Sequence, residues 1–592
     1  MWRQSLTSSR SIRENAEAGE TRLRLLFLFF VLLAGLIVYR LVILMVFNHD
    51  FYQALSSGSR EVYNNLFPKR GQVYIQDSRT GEEYPLALNR DYFLLFADTR
   101  KITNQEQAED TAEKLAGVLG YDEEKKFMVF LQLSKLTDPY EPIEQKLTEE
   151  QMEVVKALGL PGLGFSRLPA RYYPEGRLGA AIIGFLGKDE EGNNVGRYGI
   201  EGYWNKELSG SGGFVEGAQA AVGGWIPLAS WSFQPATPGA DILLTIDRTL
   251  EYKACEILEQ ARQEYGAESA SLVLMDPNTG AIRAMCSQPD FDPNDYAAVK
   301  DANVYNNSAI FTAYEPGSVF KPLIMSAALN EGVVTPDTWF TDPGERNDIC
   351  SSRIRNAEGK TYGAQTMSGI LENSINTGMV FVAEKLGKPK MQEYIGNFGF
   401  GLKTGLELDT EVAGNISSLF VNKSDKLDCY TATASFGQGL TVTPLQMAVA
   451  ISSIANGGKL LRPYIVAEVR YPDGRQEKTK AKEVKRVLDS RQALLAAGMM
   501  VNVIDRGQSK GAALAGYYLG GKTGTAQIPG PGGYIEDTNH TFVGLGPIDS
   551  PQFVLVIKFS RPQRKYADST AVPTFRKIAQ FVLQYYHIPP TR

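Results

Sequence analysis

The alternation of apolar and polar positions divides this chain before any single residue is considered. Residues 25–47 form an apolar run interrupted only by Tyr39 and Arg40. As a helix, that run reaches about 34 Å, enough for the hydrocarbon core of a bilayer. From residue 48 to about residue 236 helix and strand signals mix, with Glu and Lys at helical spacing over 103–160, the pattern of solvated helices around a small head. Gln234-Pro235-Ala236-Thr237-Pro238-Gly239 breaks the pattern, and the strand-like run 241–247 follows it. The apolar runs 271–275 and 281–285, joined by Asp276-Pro277-Asn278-Thr279-Gly280, read as a β-hairpin. Beyond Pro316-Gly317 the spacing through Asn330 predicts a buried helix, and strands return around Lys522, 541–545 and 553–559. The last strands are expected beside the first pair in one antiparallel sheet flanked by helices, an α+β architecture.

Composition changes this picture little, and charge changes it at one end. The 592 residues are 43% hydrophobic and 22% charged, which describes a folded chain of several domains. A net charge of −6 argues against nucleic acid as a partner. Residues 1–24 carry five arginines and no apolar run, so the positive-inside rule puts this tail in the cytoplasm and the bulk of the chain outside the membrane. No small-residue cleavage pattern follows the apolar run, which therefore reads as an uncleaved signal anchor. Cys255, Cys286, Cys350 and Cys429 all lie beyond it without C-x-x-C spacing. With three scattered histidines, they disfavour a metal site, and no cofactor is expected. An oxidising compartment permits disulfides; Cys350 with Cys429 is one candidate pair, and free buried cysteines are the alternative.

Three short strings carry the candidate chemistry: Ser318-Val319-Phe320-Lys321, Ser374-Ile375-Asn376 and Lys522-Thr523-Gly524. A serine nucleophile needs a base within hydrogen-bond reach. Histidine is poorly placed for it, since the chain has only His49, His540 and His587; lysine is the substitute. In a helix starting near Ser318, Lys321 stands three residues on, on the same face. Pro322 is tolerated in a first turn, and the helix N-terminus favours negative charge developing at the nucleophile. Ser374 and Asn376 sit in a polar stretch between apolar helical segments, suited to a loop entering a cleft. Lys522-Thr523-Gly524-Thr525 lies in a strand whose small residues permit close approach, and a lysine with two hydroxyls suits a carboxylate. Taken singly, these strings read as a helix cap, a turn and an edge strand. In this order they match the motif set of serine acyl-transfer enzymes that react with penicillin.

On these residues the chain resembles the class B, high-molecular-mass penicillin-binding proteins, peptidoglycan D,D-transpeptidases, and most the division-specific FtsI type. The resemblance extends to Tyr314-Glu315-Pro316-Gly317, Ser435-Phe436-Gly437-Gln438-Gly439, Thr443-Pro444-Leu445-Gln446, Ile454-Ala455-Asn456-Gly457-Gly458, Phe542-Val543-Gly544 and Pro573-Thr574-Phe575. Before the joint, Arg70-Gly71-Gln72-Val73-Tyr74, Arg171-Tyr172-Tyr173-Pro174-Glu175-Gly176 and Gly199-Ile200-Glu201-Gly202-Tyr203 resemble the family's non-catalytic module. It implies a cytoplasmic tail (1–24), a transmembrane anchor (25–47), an elongated pedestal of the dimerisation type (48–236) and a transpeptidase domain (237–592).

The resemblance further implies that Ser318 attacks the penultimate D-Ala carbonyl of a stem peptide and passes the acyl group to an amine on another strand. Lys321 would be the base, with the division of labour between the lysines left open. Ser374 and Lys522 would shuttle protons, and Asn376 would orient substrate or Lys321. Thr523, Gly524 and Thr525 would bind substrate, and the backbone N–H groups of Ser318 and Thr525 would form the oxyanion hole. β-Lactams would acylate Ser318. The implied partner is a SEDS-type (FtsW-like) glycosyltransferase with other divisome membrane proteins, contacting residues near 25–47 and the pedestal. An elongation-type transpeptidase, a D,D-carboxypeptidase, a β-lactamase, a β-lactam sensor and a silent scaffold are the alternatives. Two departures stand out: Lys565-Tyr566-Ala567-Asp568 where relatives carry a glycine-rich segment, and Asp77-Ser78-Arg79-Thr80-Gly81 where they carry an Asp-Arg-Asn-Gly-like turn.

Overall fold

The computed structural model describes residues 27–39, 41–42, 68–216, 232–530, 533–590 and 592. Contacts divide the chain into two units, Met1–Lys69 with Ser209–Gly239, and Arg70–Leu208 with Ala240–Arg592.

In the smaller unit residues 27–39 and 41–42 are helical, and their large apolar side chains are exposed. The remainder of the anchor expected over 25–47, like the tail 1–24, lies outside the described residues. Among the described residues no helix is long and apolar enough to cross a membrane. A short hairpin pairs Phe214–Glu216 with Ser232–Gln234.

The larger unit contains two main sheets. The five-stranded sheet runs in the order Ile282–Gln288, Ser269–Met275, Phe553–Ser560, Gly533–Gly546, Gly520–Gly530, antiparallel throughout. This is the sheet expected from the hairpin and the three late strands. Both of its faces are buried, which is why strand 553–560 reads as a continuous apolar run rather than an alternation. Leu555, Ile557 and Phe559 join a core with helices Arg248–Glu264 and Ala571–Tyr585. Val554 and Val556 pack on the other face, in the cluster that holds helices Lys321–Asn330 and Pro444–Ala455. The latter helix starts where its sequence says it should: Thr443 and Gln446 form a capping box, with Pro444 in the first turn.

The seven-stranded sheet has at its centre Asp241–Asp247, which lies parallel to Val73–Gln76 and antiparallel to Val466–Arg470. Strands from early, middle and late sequence thus share one hydrogen-bonded ladder. Glu83–Ala97 continues it and pairs with both Glu141–Leu147 and Leu163–Tyr172. The head segment 103–160 folds as helices Gln105–Leu119, Glu123–Leu133 and Glu149–Ala157 around Leu95, Leu115, Val129 and Ile143. Helix Gln105–Leu119 is capped by Asn104 and ends at Gly120 in a left-handed conformation.

The three pedestal strings meet at one buried ion cluster. Arg70 and Arg171 each reach the Glu201 carboxylate at 2.6 Å. Burial pushes the Glu201 pKa up, but the two guanidinium groups outweigh it and hold the carboxyl below its ordinary range. The altered turn at 77–81 docks on the start of helix Arg248–Glu264. The Ser78 amide and the Tyr585 hydroxyl donate to Asp247 Oδ2 at 2.9 and 2.8 Å, and the Thr249 hydroxyl donates to Asp77 Oδ2 at 2.9 Å.

Disulfides join Cys255 to Cys286 and Cys350 to Cys429. The second is the candidate pair from the sequence, and the free-cysteine alternative falls.

Candidate active site

The nucleophile turn is built from two close backbone approaches. Gly317, at φ +59°, starts the short 3-10 turn Gly317–Phe320 that leads into helix Lys321–Asn330. Its amide donates to the Gly437 carbonyl at 2.9 Å, and a side chain at Gly437 would run into that backbone. The segments around 314–318 and 435–442 are thereby strapped together: Gly439 N donates to Glu315 Oε1 at 3.0 Å, and Tyr314 and Val442 exchange backbone hydrogen bonds. Ser318 emerges half-buried from this turn, while the helix beyond it is buried on all sides through Leu329. A helix apolar all round is the expected form of a central core helix.

Lys321 is fully buried, yet no carboxylate pairs with it among the described residues. Its Nζ donates to Ser374 O at 2.6 Å, Ser374 Oγ at 3.1 Å and Asn376 Oδ1 at 2.8 Å. Burial, and then the neighbouring charge of Lys522, push its pKa well below the ordinary lysine value. Proton acceptance from a nearby hydroxyl is what such an amine does well. Ser374 has φ +55°, in the left-handed region, a conformation that costs about 1 kcal/mol or more for a residue with a Cβ and gathers at functional sites.

Asn376 is gripped from the far side by residues that no sequence pattern singled out. Its amide donates to Asn356 Oδ1 at 2.9 Å and its Nδ2 to Arg355 O at 2.8 Å. Asn356 in turn donates to Asp342 Oδ2 at 2.9 Å, and the Thr377 hydroxyl donates to Asp342 Oδ1 at 2.5 Å. An aspartate in a short strand and an asparagine before a turn carry no periodic signal, so only the tertiary contact reveals them.

The third string lies in the edge strand Gly520–Gly530. Lys522 is fully buried, with Nζ donating to Thr523 O at 3.1 Å; burial brings its pKa down to about 8, against the opposing pull of Asp568. A Cβ at Gly524 would lie 2.9 Å from Pro316 O, so the close approach this glycine permits is to the nucleophile turn. Thr523 is buried, whereas Thr525 is exposed and its hydroxyl accepts from Ala567 N at 3.1 Å. The unusual segment 565–568 therefore borders this strand, and the Tyr566 hydroxyl donates to Glu358 Oε1 at 2.5 Å. His540 plays a different part: it is buried between Thr538 and Thr570, and burial lowers its pKa to about 4, so it is neutral near pH 7. The one grouping of metal-ligand side chains among the described residues, Glu251 with Cys255 and Cys286, has both sulfurs in a disulfide.

Chemically, the arrangement offers a half-exposed hydroxyl, a desolvated amine on the same helical turn, a second lysine and a hydroxyl-bearing edge strand. Comparison with known proteins agrees. Residues 270–580 match the penicillin binding protein transpeptidase domain, and residues 65–244 match the penicillin-binding protein dimerisation domain. The chain is 32% identical to the stage V sporulation protein D of Bacillus subtilis, over 95% of this chain and 86% of that protein. It is 30% identical to the peptidoglycan D,D-transpeptidase FtsI of Escherichia coli, over 76% of this chain and 73% of that protein. Among solved structures, a peptidoglycan synthetase from Bifidobacterium adolescentis superposes with a TM-score of 0.67 at 26% identity, covering 89% of this chain and 97% of that one. Penicillin binding protein 3 of Mycobacterium tuberculosis, complexed with aztreonam, shares the fold with a TM-score of 0.67 at 24% identity, covering 89% and 98%.

Proposed function

This chain belongs to the class B penicillin-binding proteins, the serine-type peptidoglycan D,D-transpeptidases, and from that membership we propose how its residues divide the reaction and where it takes place. Lys321, deprotonated by its surroundings, takes the Ser318 hydroxyl proton as the oxygen attacks the penultimate D-Ala carbonyl. The backbone N–H groups of Ser318 and Thr525 receive the developing oxyanion. Collapse expels the terminal D-Ala, its amine protonated through Ser374 and Lys522. The acyl-enzyme then passes to the acceptor amine, forming the cross-link and restoring the Ser318 hydroxyl. Lys522, Thr523 and Thr525 hold the substrate carboxylate, Gly524 keeps their strand against the nucleophile turn, and Asn376 fixes Lys321. The observation that carries this reading is the fully buried Lys321 amine, bound to Ser374 and Asn376 with no carboxylate paired to it among the described residues.

A β-lactam enters as a mimic of the D-Ala-D-Ala terminus and stops at the acyl-enzyme; the aztreonam complex of the mycobacterial neighbour is in keeping with this. The deciding experiment is intact-protein mass after benzylpenicillin, on wild type and Ser318→Ala. One stable adduct on wild type and none on the variant is the expected result. No adduct on the folded chain overturns the reading in favour of a scaffold, and a transient adduct with drug hydrolysis favours a β-lactamase.

The setting we infer is the plasma membrane, with residues 25–47 as a single-pass anchor, the tail 1–24 inside and the catalytic part outside. The partners are a SEDS-type glycosyltransferase and other divisome membrane proteins, and the product is septal wall. The similarity to FtsI supports a division role. A second reading, wall synthesis during sporulation, is favoured by the similarity to the Bacillus protein over nearly the whole chain. Depletion separates the two: filaments with blocked septa support division, and normal growth with defective spores supports the other.

A further inference from the structure

A second lysine on the catalytic sheet is buried, with no carboxylate bonded to it among the described residues, and lines an open cavity. Lys522, Val543 and Val556 lie side by side in register, and Lys558 comes two residues after Val556. By strand alternation it points to the face that packs on the nucleophile helix. It is 3% exposed, and no carboxylate pairs with it among the described residues. Its Nζ donates to Ser560 Oγ at 2.6 Å and lies 5.1 Å from the centre of the Tyr314 ring. The Tyr314 hydroxyl is itself buried and makes no regular hydrogen bond among the described residues, with the Thr541 hydroxyl as its nearest polar neighbour. Burial brings the Lys558 pKa down to about 8, so the amine still carries its charge near neutral pH.

Both groups line a cavity of about 740 Å³ between the sheet and the segment 301–315, within the size range of small-molecule sites. Each acidic side chain of its wall is held by another group, although the charge of Glu268 still acts on Lys558 through space. Glu315 accepts from Gly439 N and the Tyr534 hydroxyl, Glu268 pairs with Arg561, and Asp301 accepts from Asn303 N. A desolvated ammonium with donors to spare, over the ring of a phenol whose hydroxyl makes no regular hydrogen bond among the described residues, offers two donors to one carboxylate.

The geometry points to a second ligand site, in which Lys558 and the Tyr314 hydroxyl bind the carboxylate of an amino acid or peptide terminus beneath the segment that leads into Ser318. This rests on Lys558, Tyr314 and the cavity, independently of the roles proposed for the catalytic residues. The test uses the full chain in detergent, first acylated with benzylpenicillin so that the cleft at Ser318 is filled. N-acetyl-D-alanine, free D-alanine and N-acetyl-D-alanine amide are then titrated by calorimetry. Saturable binding of a carboxylate probe, absent for the amide, is expected. The acetylated probe binding alone identifies a peptide terminus, and free D-alanine binding at least as well identifies the amino acid. Lys558→Met should weaken binding roughly tenfold or more, and Tyr314→Phe by a smaller factor. Retained acylation of each variant by benzylpenicillin shows that it is folded. No carboxylate binding on wild type, equal binding of the amide, or undiminished binding by folded Lys558→Met overturns the proposal. A chain that is not acylated at all would fail the transpeptidase roles instead, while the same titration on the unmodified protein still reads Lys558.

Discussion

Two buried lysines, Lys321 and Lys522, lie close enough to act on each other's charge, and their environments differ. Lys321 is desolvated and faces another ammonium, so it loses its proton readily; Lys522 keeps its proton up to about pH 8 with the help of Asp568. If the neutral form of the first and the charged form of the second are both required, acylation by benzylpenicillin should rise with pH as Lys321 deprotonates and fall as the pH passes about 8. Replacing Asp568 with Asn removes the charge that holds the Lys522 proton, so the alkaline limb should move to lower pH. Rapid-mixing measurements of the acylation rate across neutral and alkaline pH check both statements. The serines and lysines themselves were legible in the sequence because their order is specific. Their hydrogen bonds were not, since nothing in a spacing of fifty-odd residues says that Lys321 Nζ reaches both Ser374 and Asn376.

Among the elements, helix Asn376–Leu386 is held at its start by Asn356 and Asp342, in the stretch between residues 339 and 366. Asn356→Ala should cost about 1–3 kcal/mol of stability through the unpaired groups it leaves. It should also slow acylation through a misplaced Asn376, which lowered rates at saturating drug would show against unchanged adduct stoichiometry. The disulfide Cys255–Cys286 ties helix Arg248–Glu264 to an edge strand of the catalytic sheet across 31 residues. Its replacement by serines should lower stability by about 3 kcal/mol, read by denaturant unfolding. Local signals predicted elements well where the chain turns back on itself, as at the Asp276–Gly280 turn. Cysteine pairing was not legible, because four cysteines permit three connectivities and only the fold selects one.

For the molecule as a whole, the apolar pattern leads to an expectation of an anchor, a pedestal and a catalytic part, and the five-stranded sheet has the antiparallel, helix-flanked form expected of the last. The partners of strand Asp241–Asp247 were beyond reach, since strand pairing over hundreds of residues leaves no local trace. With residues 25–47 as the proposed anchor, the full chain should stay with membranes in alkaline carbonate and a chain lacking residues 1–47 should be released, as fractionation would show. Glu201→Gln removes the buried charge that Arg70 and Arg171 share, and should destabilise the larger unit by about 3–5 kcal/mol, seen as a lower unfolding midpoint. The ladder running from Val73–Gln76 through Asp241–Asp247 to Val466–Arg470 also sets a timetable for synthesis. A chain emerging N-terminus first holds one edge of strand Asp241–Asp247 open until more than four hundred residues have been made. Such late-closing pairings are slow and leave edges open to wrong partners. The sheet should therefore close only late in synthesis, and a pedestal made alone would display the open edge that Asp241–Asp247 covers.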